Sequence, residues 1–219
     1  MQIIKARYDI LTPISEGGIE ELKHIEKIAR VCYKSEDKIS EDGSSAKKLV
    51  KNLIDRGHEA MIEHSSLSVK FICDRGVSHE LVRHRIASFA QESTRYCNYA
   101  NDKFGNELTF IEPFFWTNCD LYYDWKAAMR AAEKSYLYLI ERGAQPQEAR
   151  SVLPNSIKTE ITITANYREW RNFFKLRTAK AAHPQMRELT IPLLAELKER
   201  IPVIFDDIIV EEESKNGNT

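Results

Sequence analysis

The sequence contains few cysteines and has no excess of charge of either sign. Cys32, Cys73, Cys97 and Cys119 lie far apart and form no Cys-x-x-Cys pair, so their spacing indicates neither a zinc knuckle nor a redox pair. We expect free thiols, as in a reducing cytosol. The 32 Lys and Arg residues are balanced by 33 Asp and Glu, and the net charge is -1. This balance argues against a dedicated nucleic-acid-binding protein.

Long apolar runs are also missing. No stretch is apolar enough to span a bilayer, and residues 1–5 lack the hydrophobic run of a signal peptide. Internal repeats, low-complexity blocks and a flexible linker are absent as well. We therefore expect a cytoplasmic protein without membrane contacts. Its 219 residues are predicted to form one domain over residues 1–219, with a frayed tail over about residues 211–219.

Periodicity predicts an α+β fold with a mainly antiparallel sheet covered by helices. Apolar and polar residues alternate over residues 67–73 and 157–165, which is typical of strands, and an edge strand is expected before Pro13. Helical spacing predicts helices over residues 19–32, from 44 or 45 to 57, 120–142, 146–154, 170–177 and 184–200, the last bent at Pro192. An irregular connector is predicted between residues 99 and 118.

Residues 83–96 form a strongly polar segment, and a core segment would not have this composition. They include three arginines, a histidine, two serines, a threonine and a glutamine. Guanidinium groups flanking an imidazole suit a ligand with phosphates and planar heterocycles, such as a nucleotide. The alternative is a solvated basic helix face. We expect Arg83, His84 and Arg85 on helical turns after a cap at Ser78, and an ordered loop from Ser88 to Tyr99.

A second polar segment covers residues 57–64. His58, Glu63 and His64 raise the possibility of a metal site, but their spacing matches no common helical ligand pair and no third ligand is evident. A capped turn is the favoured interpretation, and we expect no bound metal.

Two further segments, residues 148–154 and 166–177, are rich in arginine and asparagine. Arg150 is most simply explained as a charge at a helix end. The second segment follows the predicted strand directly, and its simplest interpretation is a helix with Trp170 and two phenylalanines on its apolar face and solvated arginines on the other.

Together, these four segments resemble the flavin-dependent thymidylate synthases. The signature of that family is Arg-His-Arg, seven residues and a serine, which is matched by Arg83-His84-Arg85 and Ser93, with Ser-Thr-Arg-Tyr closing the motif. The Gly-His-Glu segment, the Ala-Arg-x-x-Leu-Pro element and the Asn/Arg-rich segment occur in the family's order. Glu80 stands where relatives often carry glutamine, and Ala90-Gln91-Glu92 replaces the commoner Asn-Glu-x.

The resemblance implies reductive methylation of dUMP to dTMP. The carbon would come from 5,10-methylenetetrahydrofolate and the hydride from FAD reduced by NADPH, in a homotetramer with sites shared between subunits. The flavin contacts that it implies are His58, Ala60, Arg83, His84, Arg85, Gln91, Asn166, Arg168 and Asn172. The nucleotide contacts are Glu80, Arg83, Gln91, Glu92, Ser93, Thr94, Arg95, Arg150 and Arg177.

Carbon 5 of uracil is a poor nucleophile and has to be activated. No cysteine has the cationic surroundings of a reactive thiol, although Arg95 is close to Cys97. We therefore expect Arg177 to stabilise the anionic uracil ring, and Ser93, which has no evident base beside it, to bind phosphate. The alternatives are a flavoprotein of other chemistry and a non-catalytic RNA- or nucleotide-binding module.

Overall fold

The computed structural model describes residues 1–100 and 105–211. The strands are β1 (Gln2–Ile4), β2 (Arg7–Ile10), β3 (Ser66–Asp74), β4 (Ser88–Gln91), β5 (Thr109–Ile111) and β6 (Lys158–Asn166). The α-helices are α1 (Ile19–Val31), α2 (Ser44–Asp55), α3 (Arg75–Leu81), α4 (Leu121–Glu141), α5 (Pro146–Ala149), α6 (Tyr167–Arg177), α7 (Pro184–Arg200) and α8 (Pro202–Phe205). Of the predicted tail only Glu211 is described, and residues 101–104 of the predicted connector also lie outside the described residues.

The predicted α+β class is confirmed. Four strands form an antiparallel sheet in the order β2-β3-β6-β4, and β1 pairs in parallel with β5 in a small second sheet. The two strands that alternation predicted most clearly, β3 and β6, are the central ones. Helix α7 continues through Pro192.

The prediction that Arg83, His84 and Arg85 lie on helical turns is wrong. Asp74 caps α3 by accepting a hydrogen bond from the Val77 N–H at 2.7 Å, so the helix begins before Ser78. It ends at Leu81, and the basic triplet lies in the connection between α3 and β4.

The prediction of a loop from Ser88 to Tyr99 is wrong for its first residues, which form β4. The exposure of β4 alternates, and just beyond it the Glu92 N–H donates to the Glu160 carbonyl at 2.9 Å. The sequence hides this alternation because the small apolar Ala90 is exposed and the polar Gln91 lies on the less exposed face. The predicted irregular connector likewise contains β5, which is too short for a periodic signal.

The chain divides into two compact units. The first consists of Met1–Asp9, Lys70–Arg83 and Phe89–Thr162. Its core is built on Phe110 and on a narrow stripe of α4 formed by Trp125, Met129 and Tyr136. Leu121, which shares the apolar spacing of α4, is 53% exposed, so only part of the predicted stripe is buried.

The second unit consists of Ile10–Val69, His84–Ser88 and Ile163–Thr219. In α6, Trp170, Phe173 and Phe174 are buried, which confirms the predicted apolar face. The Trp170 indole N–H donates to the Leu67 carbonyl at 2.9 Å, which satisfies its polar atom inside the core. These contacts fix the helix that carries most of the candidate site.

Gly57 ends α2, as predicted, and sets the direction of the chain at His58. The Gly57 N–H donates to the Ile54 carbonyl at 2.9 Å and the His58 N–H to the Leu53 carbonyl at 2.8 Å, which is the Schellman pattern. Gly57 has φ +71°, a conformation that costs a side-chain-bearing residue energy. His58 therefore lies directly before the 3-10 helix Glu59–His64.

Candidate functional site

A cavity of about 470 Å³ lies along α6 in the second unit. Its lining combines carboxylates, amides, two cations and one apolar side chain: Glu59, Glu63, Ile86, Asn166, Arg168, Glu169, Asn172 and Lys175. The volume is in the range of small-molecule sites. Three of the predicted flavin contacts, Asn166, Arg168 and Asn172, are thus brought together.

The two asparagines of the cavity also contribute to the helix itself. The Asn166 Oδ1 accepts a hydrogen bond from the Glu169 N–H at 2.9 Å and caps α6. The Asn172 side-chain amide lies 3.4 and 3.3 Å from the two Glu169 carboxylate oxygens. Asparagine is a preferred cap because its carbonyl satisfies an otherwise unpaired N–H of the first turn.

Arg168 reaches across the cavity to the carboxylate of Glu63, which the sequence indicated only as a possible metal ligand. It is 53% exposed, and its Nη1 lies 2.5 Å from Glu63 Oε1. This hydrogen bond raises the pKa of the Arg168 guanidinium above its usual value. Water screens exposed ion pairs. A ligand anion can therefore replace Glu63 as the partner of Arg168 at little cost in free energy.

A buried line of hydrogen bonds lies in the same unit. Glu169 Oε1 is 2.9 Å from His84 Nδ1, and the Arg177 Nε–H donates to His84 Nε2 at 2.9 Å. His84 is 6% exposed and Glu169 is 7% exposed. Burial, assisted by the charge of Arg177, lowers the pKa of the His84 imidazole, although the hydrogen bond with Glu169 opposes this shift.

Both ring nitrogens of His84 are therefore engaged by side chains of α6. Its ring also meets the Phe173 ring edge-on, with 4.8 Å between centroids. The resemblance implies that His84 contacts the flavin, and a hydrogen bond from either ring nitrogen to a flavin would require the release of Glu169 or Arg177.

In the first unit, the side chains of Gln91 and Glu92 are held by protein contacts. The Gln91 Nε2 donates to the Ser78 and Thr159 hydroxyl oxygens at 2.9 and 3.2 Å. Glu92 accepts from the Tyr99 hydroxyl at 2.9 Å and from the Lys158 ammonium at 3.0 Å. These bonds fix the segment that follows β4.

The next residues bring two predicted nucleotide-binding segments together. The Arg150 Nη1 donates to the buried Thr94 hydroxyl at 3.4 Å. The Ser93 hydroxyl accepts from the Arg95 N–H at 3.3 Å, and the Arg95 guanidinium lies 5.3 Å from the Tyr96 ring centroid. The segment containing Ser93 and the element containing Arg150 are thus adjacent, as a shared phosphate site requires.

The remaining predicted contacts lie near the surface. His58 and Ala60 are exposed at the start of the 3-10 helix, and Arg83 and Arg85 are exposed in the turn after α3. Glu80 is partly buried in the last turn of α3, where its carbonyl accepts from the Arg83 N–H at 3.1 Å.

Sequence reasoning missed the residues that partner the predicted ones. They are Glu59, Ile86, Glu169 and Lys175, which line the cavity, and Ser78, Lys158 and Thr159 around β4. Glu63 was noted only as a possible metal ligand. One signal was present: Glu169 lies three residues from both Asn166 and Asn172, a spacing that places side chains on one helix face.

The described residues contain neither a metal-binding cluster nor a membrane-spanning helix. Over residues 1–100 and 105–211, no group of three or more His, Cys, Asp and Glu side chains is arranged to hold a metal ion. Over the same ranges, no helix has both the length and the hydrophobicity to cross a bilayer.

Comparison with known proteins gives a consistent result. The family model described as thymidylate synthase complementing protein matches residues 19–203. The chain is 34% identical over 165 residues to the flavin-dependent thymidylate synthase of Pyrococcus abyssi, covering 75% of this chain and 66% of that protein. It is 31% identical over 213 residues to the protein of the same name from Corynebacterium aurimucosum, covering 89% of this chain and 82% of that protein. For the Geobacter sulfurreducens protein of that name, identity is 33% over 184 residues, covering 82% of this chain and 78% of the relative.

The chain thus spans just under two thirds of the Pyrococcus abyssi protein and about four fifths of the other two. The matched residues 19–203 include the cavity, the Arg-His-Arg triplet and Arg177. The chain belongs to the flavin-dependent thymidylate synthase family of enzymes.

Proposed function

We propose that the chain methylates dUMP to dTMP, taking the carbon from 5,10-methylenetetrahydrofolate and the hydride from FAD reduced by NADPH. The observation that carries the proposal is the convergence of Asn166, Arg168 and Asn172 on one cavity along the helix that ends at Arg177. The names of the relatives supply the reaction class. Residues 1–219 would act as one catalytic domain, in the cytoplasm and as a homotetramer with shared sites.

The cavity lining fits the ring system of a flavin. Side-chain amides, a guanidinium and an ammonium offer donors and acceptors to a heterocycle, and Ile86 offers an apolar contact. Asn166, Arg168 and Asn172 would hold the flavin, with His58 and Ala60 beside it. The exposed Arg83 and Arg85 would supply positive charge to its phosphates. When bound, FAD supplies the hydride that reduces the transferred carbon to a methyl group.

The nucleotide phosphate would be bound by the arginine-rich part of the first unit. Arg150 is held beside Thr94, and Arg95 follows Ser93 in the same turn. An arginine fork matches the geometry of a phosphate. Gln91 and Glu92, whose side chains bond to neighbouring residues, would shape this turn and contact the nucleotide from it.

Arg177 would activate the uracil. A guanidinium placed against the N3 and carbonyl edge stabilises the anionic form of the ring, which raises the electron density at carbon 5. Arg177 is partly buried at the end of α6, with Nε held by His84. Glu80 would approach the nucleotide only with its charge offset by a neighbouring arginine.

A cysteine nucleophile is not part of this proposal. Cys73 is buried in β3, and burial raises the pKa of its thiol far above neutrality. A thiol in that state is not the reactive thiolate. Cys97 is partly buried, and Cys32 and Cys119 are exposed.

We expect Cys73→Ala and Cys97→Ala to retain turnover within a few-fold of wild type, because Arg177 rather than a thiolate activates the ring. Loss of a catalytic nucleophile costs several orders of magnitude, so the two outcomes separate clearly. Turnover number and thermal midpoint are measured for each variant. A variant that stays folded but loses turnover would restore a thiol mechanism.

The direct test of the proposed function is tritium release from 5-tritiated dUMP. The purified protein is reconstituted with FAD, and release is followed with the complete mixture and with the folate donor or NADPH omitted in turn. We expect release with the complete mixture and none without the folate donor. A protein that binds FAD but releases no tritium would be a flavoprotein of other chemistry. One that cannot be loaded with FAD would contradict both flavin-based functions.

A further inference from the structure

We propose that His84 is a positioning residue that orients Arg177 for catalysis as a neutral imidazole with its proton on Nδ1. The inference rests on the proposed function, because Arg177 is the residue that activates the uracil there. It assigns to the histidine of the Arg-His-Arg triplet a role in aligning an arginine 93 positions away in the chain.

The chemistry of the two partners determines the tautomer. Arginine carries donors and no acceptor, so the Arg177 Nε–H can bond only to an unprotonated His84 Nε2. The carboxylate of Glu169 accepts, so the proton of the neutral ring belongs on Nδ1, 2.9 Å from Glu169 Oε1. A carboxylate, a neutral imidazole and a guanidinium then follow one another with every hydrogen bond directed the same way.

The spacing of the partners on α6 supports a dedicated arrangement. Glu169, Phe173 and Arg177 are four residues apart and lie on one helix face. Each of them contacts the His84 ring, through a hydrogen bond at either nitrogen and an edge-on ring contact from Phe173. His84 enters this face from the turn after α3. The ring is held at three points and has a single orientation.

Orientation matters because an arginine side chain is long and has many rotamers. Fixing it in one rotamer costs side-chain conformational entropy. The bond at Nε anchors the inner end of the guanidinium, so its outer edge keeps a defined direction before substrate binds. Preorganised charge of this kind acts on the transition state without reorganisation.

The protonation state gives the arrangement a dependence on pH. Glu169 and Arg177 are the ionisable groups that act on His84. Burial and Arg177 lower its pKa, so the imidazole stays neutral below the ordinary value of about 6.5. Protonation of Nε2 would place two donors against each other and release Arg177.

The sign of the stability effect follows from the lowered pKa. As pH falls through about 6.5, the unfolded chain takes up a proton at His84 before the folded chain does. The unfolding free energy therefore decreases from that pH down to the pKa of the folded state, below which both states are protonated.

Two substitutions of His84 separate its hydrogen bonds. A glutamine side chain reaches the position of Nε2 and can still accept a hydrogen bond from Arg177. The shorter asparagine side chain reaches only the position of Nδ1, where it can donate a hydrogen bond to Glu169 but cannot accept one from Arg177. We expect the turnover number of His84→Asn to fall about 10- to 100-fold below that of His84→Gln, the usual effect of losing a hydrogen bond to a charged group. Turnover is normalised to bound FAD.

A second readout uses the flavin-free protein. Unfolding free energies of wild type and His84→Gln are compared between about pH 7 and pH 5.5, the region below the ordinary histidine pKa. We expect a steeper loss of stability on acidification in wild type, since glutamine does not titrate. Equal slopes would overturn the neutral, buried state of His84.

Each result bears on a distinct claim. If wild type releases no tritium, the proposed function fails, whatever the stability slopes are. If wild type is active and the two folded His84 variants turn over equally, the positioning role is overturned.

Should His84→Asn not fold, Glu169→Gln takes its place, because it removes the carboxylate that keeps the proton on Nδ1. Turnover of Glu169→Gln equal to wild type would equally contradict the inference.

Discussion

Replacing Arg177 by alanine is expected to lower the turnover of dUMP by about 100- to 1,000-fold, while FAD remains bound. This is the usual effect of removing a donor from charge that develops in the transition state. The guanidinium is the group proposed to stabilise the anionic uracil, and α6 and the cavity are held by residues other than Arg177, including Asn166 and Trp170.

The measurement is the turnover number at saturating dUMP, together with the flavin absorption of the same sample. Arg177→Lys is the companion variant: it keeps the positive charge but lacks the planar fork and the Nε–H that bonds to His84, so most of the loss should remain. Arg200→Ala, at the last residue of α7 and with a 41% exposed side chain, is the control for loss of an arginine elsewhere. Near-normal turnover of Arg177→Ala would contradict its assignment.

Replacing Arg171 by leucine is expected to lower the free energy of unfolding by on the order of 3 kcal/mol, the lower end of the usual cost of breaking a buried ion pair. The Arg171 side chain is 2% exposed, and its two terminal nitrogens lie 2.6 and 2.7 Å from the Asp207 oxygens. It also bonds to Glu59 at 3.1 Å and to the Ile204 carbonyl. Asp207 is 46% exposed, so the expected loss of unfolding free energy is at the lower end of the range for buried ion pairs.

The same bond makes the contribution of Arg171 depend on pH. The hydrogen bond from Arg171 lowers the pKa of Asp207 below its usual value. A lowered acid pKa stabilises the fold above the unfolded pKa of about 3.9, and this stabilisation is lost as pH falls through the folded pKa. The difference between wild type and Arg171→Leu should therefore shrink in strong acid.

Urea unfolding at neutral and acidic pH measures both effects. The matched control is again Arg200→Ala, whose partner is Glu196 at 3.3 Å and whose side chain is 41% exposed. An exposed pair of this kind contributes less than about 1 kcal/mol. If the two variants lost equal amounts of unfolding free energy, burial would not be what determines the contribution of Arg171 to stability.

The parts of the fold that the sequence predicted have strong local signals. Strand β6 alternates over all nine of its residues and β3 over its first six, and Gly57 ends α2 because a left-handed residue is needed there. The predictions that were wrong concern elements that tertiary contacts define. Strand β4 is defined by its pairing at a sheet edge, and α3 begins at Arg75 because the Asp74 carboxylate caps its first turn.

The candidate site also combines residues that the sequence indicated with residues that only tertiary contacts reveal. The resemblance singled out Asn166, Arg168 and Asn172, and the fold places them around one cavity. It did not indicate Glu169, whose role depends on contact with His84, 85 positions away. Contacts over such separations leave no trace in local periodicity, so the buried line from Glu169 to Arg177 is visible only in three dimensions.

The most direct test of the central claim is a single turnover without NADPH. The FAD-loaded protein is reduced under anaerobic conditions and mixed with dUMP and 5,10-methylenetetrahydrofolate, and flavin absorption and dTMP are measured together. The methylene carbon needs two electrons to become a methyl group, which is what one reduced flavin supplies. We predict one equivalent of dTMP for each flavin reoxidised. Reduced flavin that persists without dTMP, or dTMP formed without flavin oxidation, would contradict the proposed function.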